Sequence, residues 1–156
     1  MSHPLRSLSL RGCLVSLLFL GDRVEECMEY IKSRITEDGT GIYLIDGEHK
    51  KYCFDLTIEN NVIDFITKWS PDIEQVHQLA LKFDLDYRYN YEETSSFVYG
   101  CVISDGGNLS VIDLEEKHFD EIECDDETGM YTWRGEEYDS EADILDMLLE
   151  EEILKN

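Results

Sequence analysis

The feature that constrains the fold most is a hydrophobic pattern whose period changes several times along the first 91 residues. An unbroken apolar run is typical of a buried strand, apolar residues every three or four positions predict a helix, and strict alternation predicts a half-buried strand. These patterns predict a strand, a helix, two strands, a second helix and another strand. The corresponding segments are residues 13–20, 22–35, 52–58, 62–69, 71–83 and 85–91.

This order of elements predicts an α+β fold of the ferredoxin-like type, in which an antiparallel sheet carries two helices on one face. A β-hairpin is predicted over 97–114, where a glycine-containing loop at 104–108 separates two apolar segments. This hairpin should extend the sheet. Residues 36–48 are predicted as a loop insertion with marginal strand character.

The rest of the chain is predicted to form an acidic extension. Residues 115–128 read as a loop, a small hairpin should turn at Arg134-Gly135, and a C-terminal helix should begin at Ser140. The predicted organisation has three parts, in which the extension packs on the domain. They are a loose N-terminal tail at 1–12, a ferredoxin-like domain with an extended sheet at 13–114, and the acidic extension at 115–156.

The net charge is concentrated in the C-terminal part of the chain. The sequence has 36 acidic residues against 13 Lys and Arg, a formal net charge of −23. Residues 1–90 hold 15 acids and 10 bases (net −5), whereas residues 91–156 hold 21 acids and 3 bases (net −18). This balance excludes ordinary nucleic-acid binding and attachment to an anionic membrane surface. An apolar content of 42% and an aromatic content of 11% also exclude a disordered acidic tail.

Three short motifs resemble a known family. They are Phe65-Ile66-Thr67-Lys68-Trp69-Ser70-Pro71-Asp72, Tyr89-Asn90-Tyr91-Glu92-Glu93 and Phe97-Val98-Tyr99-Gly100. Their order is similar to the YubB-like family of ferredoxin-like domains, which occur in phage, plasmid and conjugative-element proteins. The resemblance implies the same fold and a mobile-element setting. It brings no activity with it, so no catalytic residue can be transferred.

Cysteine and histidine spacing gives no sign of a metal site. The five cysteines include no C-x-x-C pair and are predicted to be mostly buried free thiols in a reducing cytoplasm. They are Cys13, Cys27, Cys53, Cys101 and Cys124. Aligning Gly129 with the glycine of a calcium-binding EF-hand loop puts Cys124 and Gly135 where oxygen ligands are needed. The sequence predicts no metal, no cofactor and no enzymatic activity.

The candidate binding residues are the carboxylates of the acidic extension. A dense array of carboxylates can imitate the charge spacing of duplex DNA and can steer association with a basic groove. The hypothesis is a non-enzymatic protein-binding module of a mobile element, for example an inhibitor of a host defence or nucleic-acid-processing protein. A generic acidic interaction module and a purely solubilising surface stay open. The residues are Glu115, Glu116, Asp120, Glu121, Glu123, Asp125, Asp126, Glu127, Glu136 and Glu137.

Two alternatives use the sheet instead of the acidic extension. A small-ligand-binding protein or enzyme could use the open sheet face, with a pocket that combines aromatic side chains and a carboxylate. The residues predicted for this pocket are Trp69, Tyr89, Tyr91, Glu92 and Tyr99. A homodimer that pairs sheet edges is the other alternative.

Overall fold

The computed structural model describes residues 13–37, 41–42, 51–67 and 73–155. The strands are β1 Leu14–Leu20, β2 Gly41–Ile42, β3 Lys51–Glu59, β4 Val62–Thr67, β5 Asp86–Glu93, β6 Val98–Asp105, β7 Asn108–Asp113, β8 Glu123–Cys124, β9 Tyr131–Trp133 and β10 Glu136–Tyr138. The helices are α1 Val24–Arg34, α2 Ile73–Phe83, α3 Glu116–Phe119 and α4 Glu141–Leu154. The predicted N-terminal tail at 1–12 lies outside the described residues.

Seven strands form the main sheet in the order β2-β3-β4-β1-β5-β6-β7. Every neighbouring pair is antiparallel. Within this sheet, β3-β4-β1-β5 together with α1 and α2 is the ferredoxin-like arrangement, so the predicted α+β fold is confirmed. The hairpin β6–β7 extends the sheet, as predicted. Within the predicted insertion at 36–48, the described Gly41–Ile42 forms β2 at the sheet edge.

The first hydrophobic core lies between the sheet and the helices α1 and α2. Val15, Leu17 and Phe19 alternate along β1 and are each at most 3% exposed. Their antiparallel partners on β5 are three tyrosines, which occupy the same face of the sheet because strand side chains alternate. These tyrosines are Tyr87, Tyr89 and Tyr91. The three tyrosines therefore belong to the first core.

A second hydrophobic core lies on the opposite face of the sheet. Apolar residues of β6, β7 and β9 pack there against α4, whose Ile144, Leu145 and Leu148 are each at most 1% exposed. The C-terminal helix thus packs on the domain. It contacts β6 and β7 and leaves Ser16 and Leu18 of β1 half-buried. The apolar run of β1 is therefore fully covered on one face only, whereas the sequence favoured a completely buried strand.

The segment predicted as an acidic loop at 115–128 contains regular structure, so that prediction is wrong for two of its parts. Helix α3 occupies 116–119 and β8 occupies 123–124. The backbone N–H of Glu115 donates to His118 Nδ1 at 2.8 Å, and this capping interaction fixes the start of the helix. His118 and Phe119 are buried, which anchors the segment despite its many charges.

The extension also has its own three-stranded sheet, in the order β10-β9-β8. The hairpin β9–β10 turns at Arg134-Gly135, as predicted. Both turn residues have positive φ values, 52° and 82°, which is the backbone of the two-residue turns that suit the twist of a hairpin. Trp133 of β9 is 5% exposed and ties this small sheet to the second core.

Candidate functional site

All ten carboxylates predicted for binding are exposed, and we call this set the acidic surface. They lie at the start of α3, in the connection to β8, on β8 itself, in the turn that follows it, and on β10. The acidic surface therefore belongs to the small sheet and to α3. It consists of Glu115, Glu116, Asp120, Glu121, Glu123, Asp125, Asp126, Glu127, Glu136 and Glu137.

Hydrogen bonds hold the turn that presents the three consecutive carboxylates at 125–127. The backbone N–H of Asp125 donates to the carbonyl oxygen of Met130 at 2.8 Å, and Gly129 N–H donates back to the carbonyl oxygen of Asp125 at 2.7 Å. Asp125 Oδ1 accepts a bond from the backbone N–H of Glu127 at 2.9 Å. Asp126 and Glu127 therefore project from a hydrogen-bonded turn.

Arg134 connects the acidic surface to α4. Its guanidinium lies 4.2 Å from the centre of the Trp133 ring and 2.6 Å from Glu151 Oε2. It also lies 3.6 Å from Glu121 Oε1, which accepts a hydrogen bond from the Trp133 indole N–H at 3.0 Å. Lys117 lies 3.7 Å from Glu115. Within the acidic surface, only Glu115 and Glu121 are therefore engaged by Lys117 and Arg134. The eight other carboxylates take no part in these ion pairs, so most of the negative charge stays available to a partner.

A cleft of about 470 Å³ lies on the sheet face opposite α1 and α2. The strands β1, β4 and β5 form its floor, and α4 forms a wall through Ala142, Asp146 and Leu149. We call this space the β1–α4 cleft. It occurs because α4 covers β6 and β7 and leaves the neighbouring strands uncovered.

The structure brings part of the predicted pocket to the β1–α4 cleft. Glu92 and Tyr99, which are paired across β5 and β6, line it, and Tyr91 borders it. Tyr89 was wrongly assigned to the pocket, because its side chain is 0% exposed in the core on the helix-covered face. Trp69 lies outside the described residues.

Three of the polar groups that line the cleft, Tyr99, Asp146 and Glu92, influence one another. The Tyr99 hydroxyl donates a hydrogen bond to Asp146 Oδ1. Burial, the hydrogen bond and the nearby carboxylates raise the pKa of Tyr99. Burial raises the pKa of Glu92, and the negative charge of Asp146 adds to that effect. Arg88, on the same sheet face, is held by Glu150 at 2.7 Å and by Asn90 at 2.9 Å.

Several cleft residues were missed by the sequence analysis. Ser16 of β1 pairs with Asp64 on one side and with Asn90 on the other, which puts three polar side chains in one row across the floor. A serine inside the apolar run Leu14–Leu20 was a signal for this row. Asp146 could not be found in this way, since its position depends on how α4 packs on the sheet.

Replacing Glu92 with glutamine is expected to raise the melting temperature by a few degrees at pH 7. The folded state holds the Glu92 proton more tightly than the unfolded chain does, so the ionised carboxylate opposes folding once the pH exceeds its folded-state pKa. The stability that this group gives is therefore lost as the pH rises, and the advantage of Glu92→Gln should disappear below about pH 4, near the ordinary pKa of glutamate. Calorimetry of both proteins at neutral and acidic pH measures the difference.

The control for this experiment is Glu59→Gln, since Glu59 is an exposed glutamate on β3. It should leave the melting temperature unchanged at both pH values. A gain for Glu92→Gln that is larger in acid than at neutral pH would contradict the assignment.

Three of the four cysteines whose side chains the structure describes are buried, and His118 is held by contacts with Glu115 and Glu152. Cys13, Cys27 and Cys101 are buried and Cys124 is exposed, while the side chain of Cys53 lies outside the described set. Burial raises the pKa of Cys13 to about 11 and that of Cys27 to about 12, so both stay protonated near neutral pH. His118 is buried beneath α4, with Nε2 3.4 Å from Glu152 Oε2.

No group of three or more His, Cys, Asp or Glu side chains is placed to hold a metal ion in the ranges 13–37, 41–42, 51–67 and 73–155. Over the same part of the chain, no helix has the length and apolar character needed to cross a membrane.

Comparison with known proteins identifies one family. A family described as the ferredoxin-like domain in Api92-like protein matches residues 46–134, which is 89 of the 156 residues. The match includes β3 to β9 and so contains both the extending hairpin and much of the acidic surface. No curated protein and no solved structure matches the chain significantly.

Proposed function

We propose that this chain, which belongs to the family of ferredoxin-like domains in Api92-like proteins, is a non-enzymatic module that binds a protein partner. The acidic surface would dock on a basic face of that partner. The observation that carries the proposal is the ordered presentation of ten exposed carboxylates, three of them on the hydrogen-bonded turn at 125–127. Such a field speeds the encounter with a basic groove and suppresses acidic competitors.

The finer parts of the proposal concern the setting and the partner. Residues 65–72, 89–93 and 97–100 resemble YubB-like proteins, which supports a role on a phage, plasmid or conjugative element in the cytoplasm. We propose that the partner is a host defence or nucleic-acid-processing protein. Its basic groove would normally hold DNA, whose charges repeat about every 1.7 Å along the axis, and the acidic surface would take the place of that DNA.

The test is capture of partners from a host lysate with the wild-type protein and with a charge-reversed variant. We choose Glu123→Lys, Asp126→Lys and Glu127→Lys together, and leave Asp125 because its carboxylate holds the turn. Capture should fall at least about tenfold in the variant, and wild-type capture should weaken as salt rises, since exposed charges are screened within about 10 Å at 0.1 M salt.

The matched control reverses three exposed glutamates in the other half of the molecule, Glu29, Glu37 and Glu59. This triple variant has the same net charge as the first one and should keep most of the capture. Equal losses of capture in the two variants would show that capture depends on net charge alone and not on the acidic surface. Release of the captured partner by a duplex oligonucleotide would support the DNA-like form of the proposal.

The second candidate function is small-ligand binding in the β1–α4 cleft. It is favoured by one observation, a concave space of about 470 Å³ lined by apolar side chains and a few polar groups. Ligand sites in proteins usually have this size and this mixture. The two functions use separate residues, so variants of the acidic surface and of the cleft can test them independently.

A further inference from the structure

We infer that the β1–α4 cleft binds an aliphatic organic cation, in which a methylene chain carries an ammonium group. This inference deepens the second candidate function and rests on it. It assigns a charge and a shape to the ligand, and both follow from how acidic and apolar side chains are distributed around the cleft.

The charge of the cleft favours a cation. Glu92 and Asp146 lie on facing sides, on β5 and on α4, and Asp55 and Asp64 line the floor toward β3 and β4. Among the described residues, no lysine or arginine lines this space. Arg88, which lies on the same sheet face, is already held by Glu150 and Asn90.

The position of Glu92 makes a bound cation favourable. Glu92 is half-buried next to the negative charge of Asp146, so ionisation costs more there than in water. An ammonium group between the two carboxylates would remove that repulsion. Charge-assisted hydrogen bonds of this kind are about twice as strong as neutral ones. An anion would add to the repulsion, and an apolar molecule would bury the carboxylates without a partner.

Apolar side chains provide a surface for the methylene chain. Leu14 and Ile66 pair across β1 and β4 on the cleft face, and Leu149 of α4 stands opposite them. Leu14 is 54% exposed, although β1 is a central strand of the sheet. A methylene chain over Leu14 would cover that surface. The Tyr99 hydroxyl fixes Asp146 through its hydrogen bond, so one carboxylate is oriented before any ligand arrives.

The experiment is a titration of the intact chain with 1,5-diaminopentane, followed by the amide signals of Ser16, Asn90 and Tyr99 in NMR spectra. Two probes of the same length are the comparison: neutral 1,5-pentanediol and anionic glutarate. Saturable shifts are expected with the diamine alone. A further titration uses Nα-acetyl-lysine methylamide, whose side-chain ammonium group is free, and so tests a protein side chain as the source of the cation. Saturation by this probe as well supports the same recognition with a protein side chain as the source.

Variants locate the binding and separate it from general attraction to a negative protein. Glu92→Gln and Asp146→Asn should each weaken the diamine at least about tenfold, the usual effect of removing a charged hydrogen-bonding group. The double variant Asp126→Asn with Glu127→Gln removes two charges from the acidic surface and should change affinity less than twofold. Glu92→Gln should also raise the melting temperature, so loss of fold cannot explain its weaker binding.

The outcomes distinguish failure of the inference from failure of the cleft as a binding site. Saturable shifts with pentanediol or glutarate that equal those with the diamine would overturn the cationic assignment and keep the ligand-binding function. Equal weakening in the cleft variants and in the acidic-surface variant would overturn it as well. No shift with any probe at millimolar concentration, from a folded protein, would overturn both.

Discussion

The Leu148→Ala variant is expected to lower the free energy of unfolding by about 3 kcal/mol. Leu148 is 1% exposed and lies in the second core, where α4 packs against β6 and β7. Removing its side chain loses apolar burial and leaves a cavity that a strand-and-helix interface cannot easily close. The sheet face under α4 would be exposed first, because the ferredoxin-like core on the other face does not depend on this residue. Denaturant unfolding followed by tryptophan fluorescence measures the loss.

Leu154 provides the matched control on the same helix. Its side chain is 85% exposed, so Leu154→Ala should change the free energy of unfolding by less than about 0.5 kcal/mol. Leu148→Ala should also weaken the binding of a ligand in the β1–α4 cleft, because Asp146 and Leu149 of the same helix form a wall of the cleft. A loss at Leu148 as small as the loss at Leu154 would mean that the packing of α4 contributes little to stability.

The Gly100→Val variant is expected to cost about 3 kcal/mol or more, or to prevent folding. A Cβ atom at Gly100 would lie 2.5 Å from Asp113 Oδ1, 2.6 Å from the carbonyl oxygen of Ile112 and 2.9 Å from the Tyr91 hydroxyl. The Ile112 oxygen belongs to the backbone of β7, so it can move only if β6 and β7 separate. Valine favours strands in general, so strand propensity cannot explain a loss of stability in Gly100→Val. The expected loss would come from the close approach of β7 to Gly100.

Val111→Ala is the control for this prediction. Val111 lies on β7 beside the same contact but is 58% exposed, so its truncation should have a small effect. The double variant Gly100→Ala with Asp113→Ala lacks one of the three clashing atoms. It should regain part of the free energy of unfolding that Gly100→Ala alone loses. A Gly100→Val protein as stable as wild type in urea unfolding would show that β7 adjusts freely.

The fold was predictable because its elements carry their own patterns. The apolar run of β1 and the alternating tyrosines of β5 identify strands without any tertiary information. Helix α3 was missed for a physical reason. His118 and Phe119 make it a buried turn, but only two residues carry that signal and the acidic residues around them dominate the local composition.

The cleft was only partly predictable because it depends on register. Side chains alternate along a strand, so Tyr89 and Glu92 cannot share a face of β5, and this rule alone excludes Tyr89 from a pocket that contains Glu92. The pairing of Glu92 with Tyr99 depends on the length of the connection between β5 and β6. The contribution of Asp146 depends on long-range packing, which no local pattern encodes.

The order of β1, β5 and α4 along the chain determines when each hydrophobic core can form during synthesis. β1 pairs with β4 and β5, so the ferredoxin-like core can close only after Glu93 at the end of β5 has left the ribosome. Cys101 and Ile112 of the second core can be buried only when α4, which ends at Leu154, has also been synthesised. At ordinary rates of about 5–20 residues per second, the 41 residues between Asp113 at the end of β7 and Leu154 take about 2–8 s. During that interval the apolar face of β6 and β7 is open to chaperones and to neighbouring nascent chains.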